Sequence, residues 1–440
     1  MKSPYPPGSF NAHWFQVFNA VSFQIMMGAP IILYAKSLGA SSTVLGIIAA
    51  MTPLMTVFQL PAAKYIPRFG YHDFVVGGWS LRVLVIFGLC ALPLIDVLTN
   101  PERMVILVGL LLIFNFLRGV STTGWMPWIT ALIPEKHRGR FLALDNVFIH
   151  SGCLLSLLIS AVLLHGQVEQ WEYALVLLVS ALGGAASVFF LRKIPDVPAG
   201  ETTRRSSESV PWRAIIGYMP FQKLLIFNVI FMTMVGSLGV FTVEYLREDS
   251  HFEVSTVLLL SAFAFVGALT SLPFVGSLID TVGSKPLMRV ATGMFALVIL
   301  LWFLIASAIL PCRLELVAGM NLLSGAASAI FNVANTRMVM ATMPEMGRNH
   351  FFALFTVISS LGLGAAPVLW GVGLDAIGTY EVVTGVFHWK RHSFYFLALL
   401  IVNAIAFYFI GSLHESSGRG SMAPSLIYGR LRRMSRLWLR

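Results

Sequence analysis

Gly276-Ser277-Leu278-Ile279-Asp280-Thr281-Val282-Gly283-Ser284-Lys285-Pro286 is a short polar turn set between two long apolar runs. A worn copy stands at Ala63-Lys64-Tyr65-Ile66-Pro67-Arg68-Phe69-Gly70, with Gly70 lying 213 residues before Gly283. That offset is just under half of the 440-residue chain, the mark of one membrane unit written twice. A second echo agrees. Pro134-Glu135-x-x-Arg138-x-x-Phe141-x-Ala143-Leu144 recurs as Pro344-Glu345-x-x-Arg348-x-x-Phe351-x-Ala353-Leu354, every matched pair 210 residues apart. In each copy the proline ends one helix and the arginine is expected at the lipid headgroups before the next begins.

Composition sets the class. Hydrophobic residues make up 57% of the chain and charged ones 11%, with a mean hydropathy of +0.79. A soluble domain carries roughly 25% charge, so this is an integral membrane protein. A spanning helix needs about 20 apolar residues, and twelve such runs are found, near 13–36, 42–66, 73–95, 103–132, 140–164, 170–191, 221–246, 255–279, 286–310, 314–341, 350–374 and 392–413. The runs are too long for barrel strands and do not alternate with period two. The expected fold is therefore all-α: twelve transmembrane helices in two pseudo-symmetric six-helix bundles. The first run carries Asn11, His13, Gln16, Asn19 and Gln24, too long and too polar for a cleavable signal peptide. Cys90, Cys153 and Cys312 have no metal-ligand spacing and imply neither a disulfide framework nor a redox compartment. No cofactor or metal is expected.

The net charge of +10 is unevenly spread. Of the 30 Lys and Arg, 21 fall on the side of both termini, six on the other and three within spans, so the positive-inside rule puts both termini in the cytoplasm. The excess is a topology signal and not a nucleic-acid footprint, because no basic–aromatic motif accompanies it. The polar stretch from Pro195 to Pro211 reads as a cytoplasmic linker, Val210 to Met219 as a short surface helix. This divides the chain into a first half at 1–193, a linker at 194–219, a second half at 220–414 and a tail at 415–440. In the tail, Ile427, Leu431, Met434 and Trp438 share one helical face among arginines, which suits a cytoplasmic leaflet of anionic lipid.

The opening turn has the form G-x-L-x-D-x-x-G-x-K, and through it the chain resembles the major facilitator superfamily of secondary transporters. Gly276, Leu278, Asp280, Gly283 and Lys285 match, Thr281 replaces a usual basic residue, and the first copy keeps only Arg68 and Gly70. The resemblance covers the chain up to about Glu415. It implies that the first and fourth helices of each half line a central cavity about which the halves rock. It also implies a cytoplasmic gate built from Gly276, Asp280, Gly283, Lys285, Arg68 and Gly70. Arg337, about 10 Å from the cytoplasmic end, is expected to pair with Asp280 or Glu345 in that gate, because charges within spans are commonly paired. Arg118-Gly119-Val120-Ser121-Thr122-Thr123-Gly124 is similar to the family's fourth-helix signature, with Ser121 and Thr122 in place of its Gln-Gly pair. That signature is commonest in proton-coupled exporters.

A polar group in hydrocarbon costs several kcal/mol unless partnered or wet. A polar residue that the fold itself needs should recur in both halves. Most do not: Arg118 faces Ser328, Asp145 faces Phe355, His150 faces Ser360 and Arg82 faces Phe295. Arg118 lies at mid-span and shares a face with Asn115, which makes it the leading substrate or proton-pathway residue. Asp145 reads as the only carboxylate inside a span. It and His150 sit about 140° apart on their helix, so its partner is expected elsewhere, from Arg82 or Arg118. Gln16 and Asn19 on the first helix, Asn228 on the seventh, and Asn321, Ser328 and Asn332 on the tenth are candidate solute-binding groups, with helix–helix bonding the competing role.

Three Arg against one Asp within the spans favour an anionic or neutral polar solute over a polycation. The expected activity is secondary transport of a small solute by alternating access, with protons as a coupling ion. A drug or metabolite–proton antiporter is the alternative, and a non-transporting sensor on the same fold a third. An intramembrane enzyme is disfavoured by the lack of a paired acid–base or metal cluster. The expected setting is the plasma or inner membrane, as a monomer among lipids.

Overall fold

The computed structural model describes residues 5–197, 217–342 and 348–413. The expected linker core, the surface helix before Met219 and the basic tail lie outside the described residues. So do the second-copy Pro344 and Glu345, and the side-chain surroundings at Gly276, Asp280 and Arg348.

Among the described residues, twelve helices are long and apolar enough to cross a membrane. In chain order they are α1 (Asn11–Ser37), α2 (Ser42–Phe69), α3 (Tyr71–Leu94), α4 (Asn100–Leu132), α5 (Glu135–Leu163), α6 (Gln170–Leu191), α7 (Met219–Glu248), α8 (Val254–Val282), α9 (Ser284–Ala306), α10 (Leu314–Thr342), α11 (Arg348–Ile377) and α12 (Arg391–Ile410). A two-stranded hairpin, β1 (Val382–Thr384) and β2 (Phe387–Trp389), joins α11 to α12. Outward positions such as Leu84, Val162 and Leu369 are apolar and bare, as a lipid-facing surface requires.

The duplication is visible in the packing. In the first half α1 packs on α5 and α6, α3 on α4 and α6, and α2 on α4. Adding six to each label gives the pairs of the second half: α7 on α11 and α12, α9 on α10 and α12, and α8 on α10. The halves meet through α2 against α11 and α5 against α8, pairs that exchange under the same rule.

The shared glycine of the two turns has a backbone cause. Gly70 (φ 77°, ψ 166°) ends α2 and begins α3, and Gly283 (φ 89°, ψ 173°) does the same between α8 and α9. A side chain is strained at such positive φ, so the glycine survived where the rest of the first turn drifted. Lys285 of the same turn donates to the Gly411 and Leu413 carbonyls, both at 2.8 Å, closing the end of α12.

Small residues set how closely α8 and α10 approach. A Cβ at Gly325 would lie 1.7 Å from the Ala264 carbonyl oxygen, and one at Gly267 would lie 1.9 Å from that of Leu322. Gly325→Leu is expected to force these backbones apart and to cost about 3 kcal/mol or more, beyond ordinary overpacking. Thermal melting of the purified variant checks this, and an unchanged midpoint would show the contact to be dispensable.

Candidate functional site

Between the halves lies a cavity of about 340 Å³, lined by α1, α7, α8, α9 and α10. Its polar groups are neutral: Gln24, Thr242, Ser261, Asn321, Ser324 and Ser328. Apolar walls come from residues such as Met27, Val235, Phe295 and Trp302. The volume suits a small organic solute. Helix α1 breaks beside it, where Gly28 (φ −98°, ψ −159°) interrupts the ladder ahead of Pro30. Irregular backbone at membrane depth is tolerated where it borders a wet cavity, and Gly28 is among the lining residues.

At the end of the bundle away from the termini, ion pairs join the halves. Glu244 of α7 is fully buried. Its Oε1 accepts from Ser42 Oγ of α2 at 2.6 Å, and lies 3.4 Å from Lys36 Nζ of α1 and 3.6 Å from Arg391 of α12. Glu248, one turn on, also pairs with Lys36 and Arg391. Asp375 of α11 accepts from the backbone N–H groups of Ser42 (3.0 Å) and Thr43 (2.8 Å), capping α2 from the other half. His165 Nδ1 and Ser255 Oγ, 3.4 Å apart, add a further cross-half contact at this end. These contacts tie the two halves together at that end of the bundle.

Glu244 corrects the expectation that Asp145 is the only carboxylate within a span. The charge signal was available: Lys36 and Glu244 lie 208 residues apart, close to repeat-related positions, with opposite signs. The pairing itself needed the rotation of α1 against α7.

Asp145 finds its partner on α1, not in Arg82 or Arg118. Its Oδ1 lies 2.9 Å from His13 Nδ1, and its Oδ2 accepts from Gln16 Nε2 at 2.8 Å. All three residues are buried. Phe141 and Phe148 of α5 hold the His13 ring between them, at 4.2 and 5.2 Å. His150 takes no part in this group: its Nδ1 is 2.7 Å from the Asn146 carbonyl of its own helix.

The remaining candidates divide between cavity and scaffold. Asn321 and Ser328 line the cavity. Asn19 accepts from Trp79 Nε1 at 3.1 Å, and Asn228 forms a reciprocal amide pair with Asn335 at 3.2 and 2.8 Å. Asn115 accepts from Thr52 at 2.8 Å and lies 3.2 Å from Met27 Sδ at the cavity edge. Asn332 is exposed. Arg118 is half-buried, with its guanidinium over the Phe23 ring at 4.6 Å. Arg337 donates to the Ile279 carbonyl, one residue before Asp280 in the turn, while Arg68 lies exposed over Phe69.

A family model described as Major Facilitator Superfamily matches residues 14–312 and 224–439. Among solved structures, a D-xylose–proton symporter superposes with a TM-score of 0.73 at 14% identity, over 94% of this chain and 98% of that one. A point mutant of the nucleoside transporter NupG gives 0.70 at 12% identity, over 93% and 99%. The xylose transporter XylE from E. coli, in an inward open conformation, gives 0.67 at 14%, over 94% and 96%. A search of the curated proteins finds no match.

Proposed function

This chain belongs to the major facilitator superfamily, and from that premise we propose that it moves a small organic solute across its membrane by alternating access. One observation carries the reading: a solute-sized cavity between the halves, roofed by ion pairs that join one half to the other. A roof of that kind closes one access route and must part before the other can close, which is the bistable element that alternating access requires. With the termini in the cytoplasm, as the Lys and Arg distribution favours, this is the state closed to the outside.

Protons are the proposed driving ion, with the His13–Asp145 pair as the group that takes and releases one. A carboxylate and an imidazole buried together in a membrane half form a site by default, and the pair sits one helical turn from the start of α1. The sugar and nucleoside transporters that share the fold carry small polar solutes by their names, which agrees with the neutral amides of this cavity.

Flux in proteoliposomes tests the proposal. Saturable uptake of a solute, faster under an imposed pH gradient, is the expected result. Solute binding without flux would instead make the chain a sensor on a transporter fold.

A further inference from the structure

We propose that Arg118 and Arg82 form the recognition centre for an oxyanion, so that the cargo is a small organic anion bearing a carboxylate or phosphate group. This rests on the transport reading above and names its substrate class.

Arg118 lies about 27 Å along α4 from Asn100, near mid-span. Its guanidinium covers Phe23, the residue next to the cavity-lining Gln24, and among the described residues no carboxylate or carbonyl meets it. Arg82 of α3 is 3% exposed, between Trp79 at 4.6 Å and Phe114 at 4.8 Å, and its Nε and Nη1 have no hydrogen-bond partner among the described residues. Phe114, on which Arg82 stacks, lies one turn before Arg118 on α4, so the two guanidinium groups come from facing turns of α3 and α4.

Buried charges are ordinarily paired, because an uncompensated one forfeits its hydration. Here the buried carboxylates that could serve are engaged elsewhere: Asp145 with His13 and Gln16, and Glu244 with Lys36, Ser42 and Arg391. Among the described residues, two like charges thus stand at mid-span, Arg82 buried and Arg118 half-buried, with ring faces as their contacts. Ring faces hold a guanidinium more weakly than a bidentate oxyanion does. The aromatic contacts read as the resting cover of a site whose counter-ion arrives with the cargo. The neutral cavity, whose lining residue Met27 touches Asn115 one turn before Arg118, has room for the body of such a molecule, while Arg118 takes its head.

The test uses four probes of one size: benzoate, phenyl phosphate, benzyl alcohol and benzylamine. Purified full-length protein is melted with each, since a ligand of the folded state raises the midpoint by mass action. Benzoate or phenyl phosphate, or both, should stabilise, and benzyl alcohol and benzylamine should not. Which anion is the better identifies the head group. Arg118→Gln should weaken anion binding about 10- to 100-fold, with Arg82→Gln acting in the same direction. Arg118→Lys keeps the charge and the fold and should retain part of the affinity, having lost the bidentate fork. Anions that stabilise no better than benzyl alcohol overturn the proposal, as does anion binding that survives Arg118→Gln in a variant of native melting behaviour. Anion stabilisation without flux in proteoliposomes would sink the transport reading and leave the anion site standing. Flux confined to a neutral or cationic solute would do the reverse.

Discussion

Glu244→Gln is expected to open the far end of the bundle and slow transport at least tenfold. The wild-type carboxylate gathers Lys36, Ser42 and Arg391 at one fully buried oxygen, so three elements from both halves depend on it. The amide keeps the Ser42 bond but loses both ionic contacts. Breaking a buried pair on one side costs about 3–5 kcal/mol. The two access states of a transporter differ by only a few kcal/mol, and each 1.4 kcal/mol is a tenfold shift in population. Even the lower figure moves the equilibrium by about two orders of magnitude. The measurement is labelling of Ser324→Cys, a cavity position, by a membrane-impermeant thiol reagent applied from the far side. It needs a background in which Cys90, Cys153 and Cys312 are replaced, since all three are free. Fast labelling with Glu244→Gln and slow labelling without it is the expected pair of results. Lys36→Gln should act in the same direction but more weakly, because Glu244 keeps Arg391 and Ser42. Equal labelling rates in Glu244→Gln and its parent would mean that these ion pairs do not hold the roof.

What could be read from the chain follows from which forces act locally. Spans follow from apolar length alone, and the helices begin and end within a few residues of the expected runs. The repeat was legible because a turn at positive φ tolerates little but glycine, so Gly70 and Gly283 stayed 213 residues apart while Asp280 lost its counterpart to Pro67. Side-chain partners were not legible. Periodicity correctly separated Asp145 from His150, but nothing in one helix's sequence tells which neighbour its polar face meets. The pairing of His13 with Asp145 therefore appears only once α1 is packed against α5. The cluster of Lys36, Glu244 and Arg391 is hidden in the sequence for a related reason. Charges near helix ends read as interfacial, until the packing of α1, α7 and α12 brings them together under a common roof. The amides divided for steric reasons. Asn228 and Asn335 pair within the second half, whereas Asn321 points at the open space where α1 breaks.

Asp145→Asn is expected to uncouple solute movement from protons while leaving exchange intact. The amide can still accept from Gln16, and the His13 ring stays between Phe141 and Phe148, so the local packing survives. What is lost is the carboxylate of the proposed proton site. With one proton per cycle, a gradient of one pH unit supplies about 1.4 kcal/mol and sustains about tenfold accumulation. The variant should reach no more than the level found without a gradient, yet exchange labelled for unlabelled solute at a rate near that of the parent. Asp145→Leu is different: it strands His13 in an apolar pocket and should cost about 3–5 kcal/mol of stability, visible as a lower melting point. His137, edge-on to Tyr5 at 6.1 Å, and His72, beside Asp73, lie at the same end of the bundle. His137→Gln and His72→Gln are therefore the controls, and both should accumulate solute as the parent does. His13→Gln should fail alongside Asp145→Asn, because the proposed proton site spans both side chains, whose Nδ1 and Oδ1 lie 2.9 Å apart. Gradient-driven accumulation persisting in Asp145→Asn would remove this pair from the coupling pathway and leave it a structural clasp between α1 and α5.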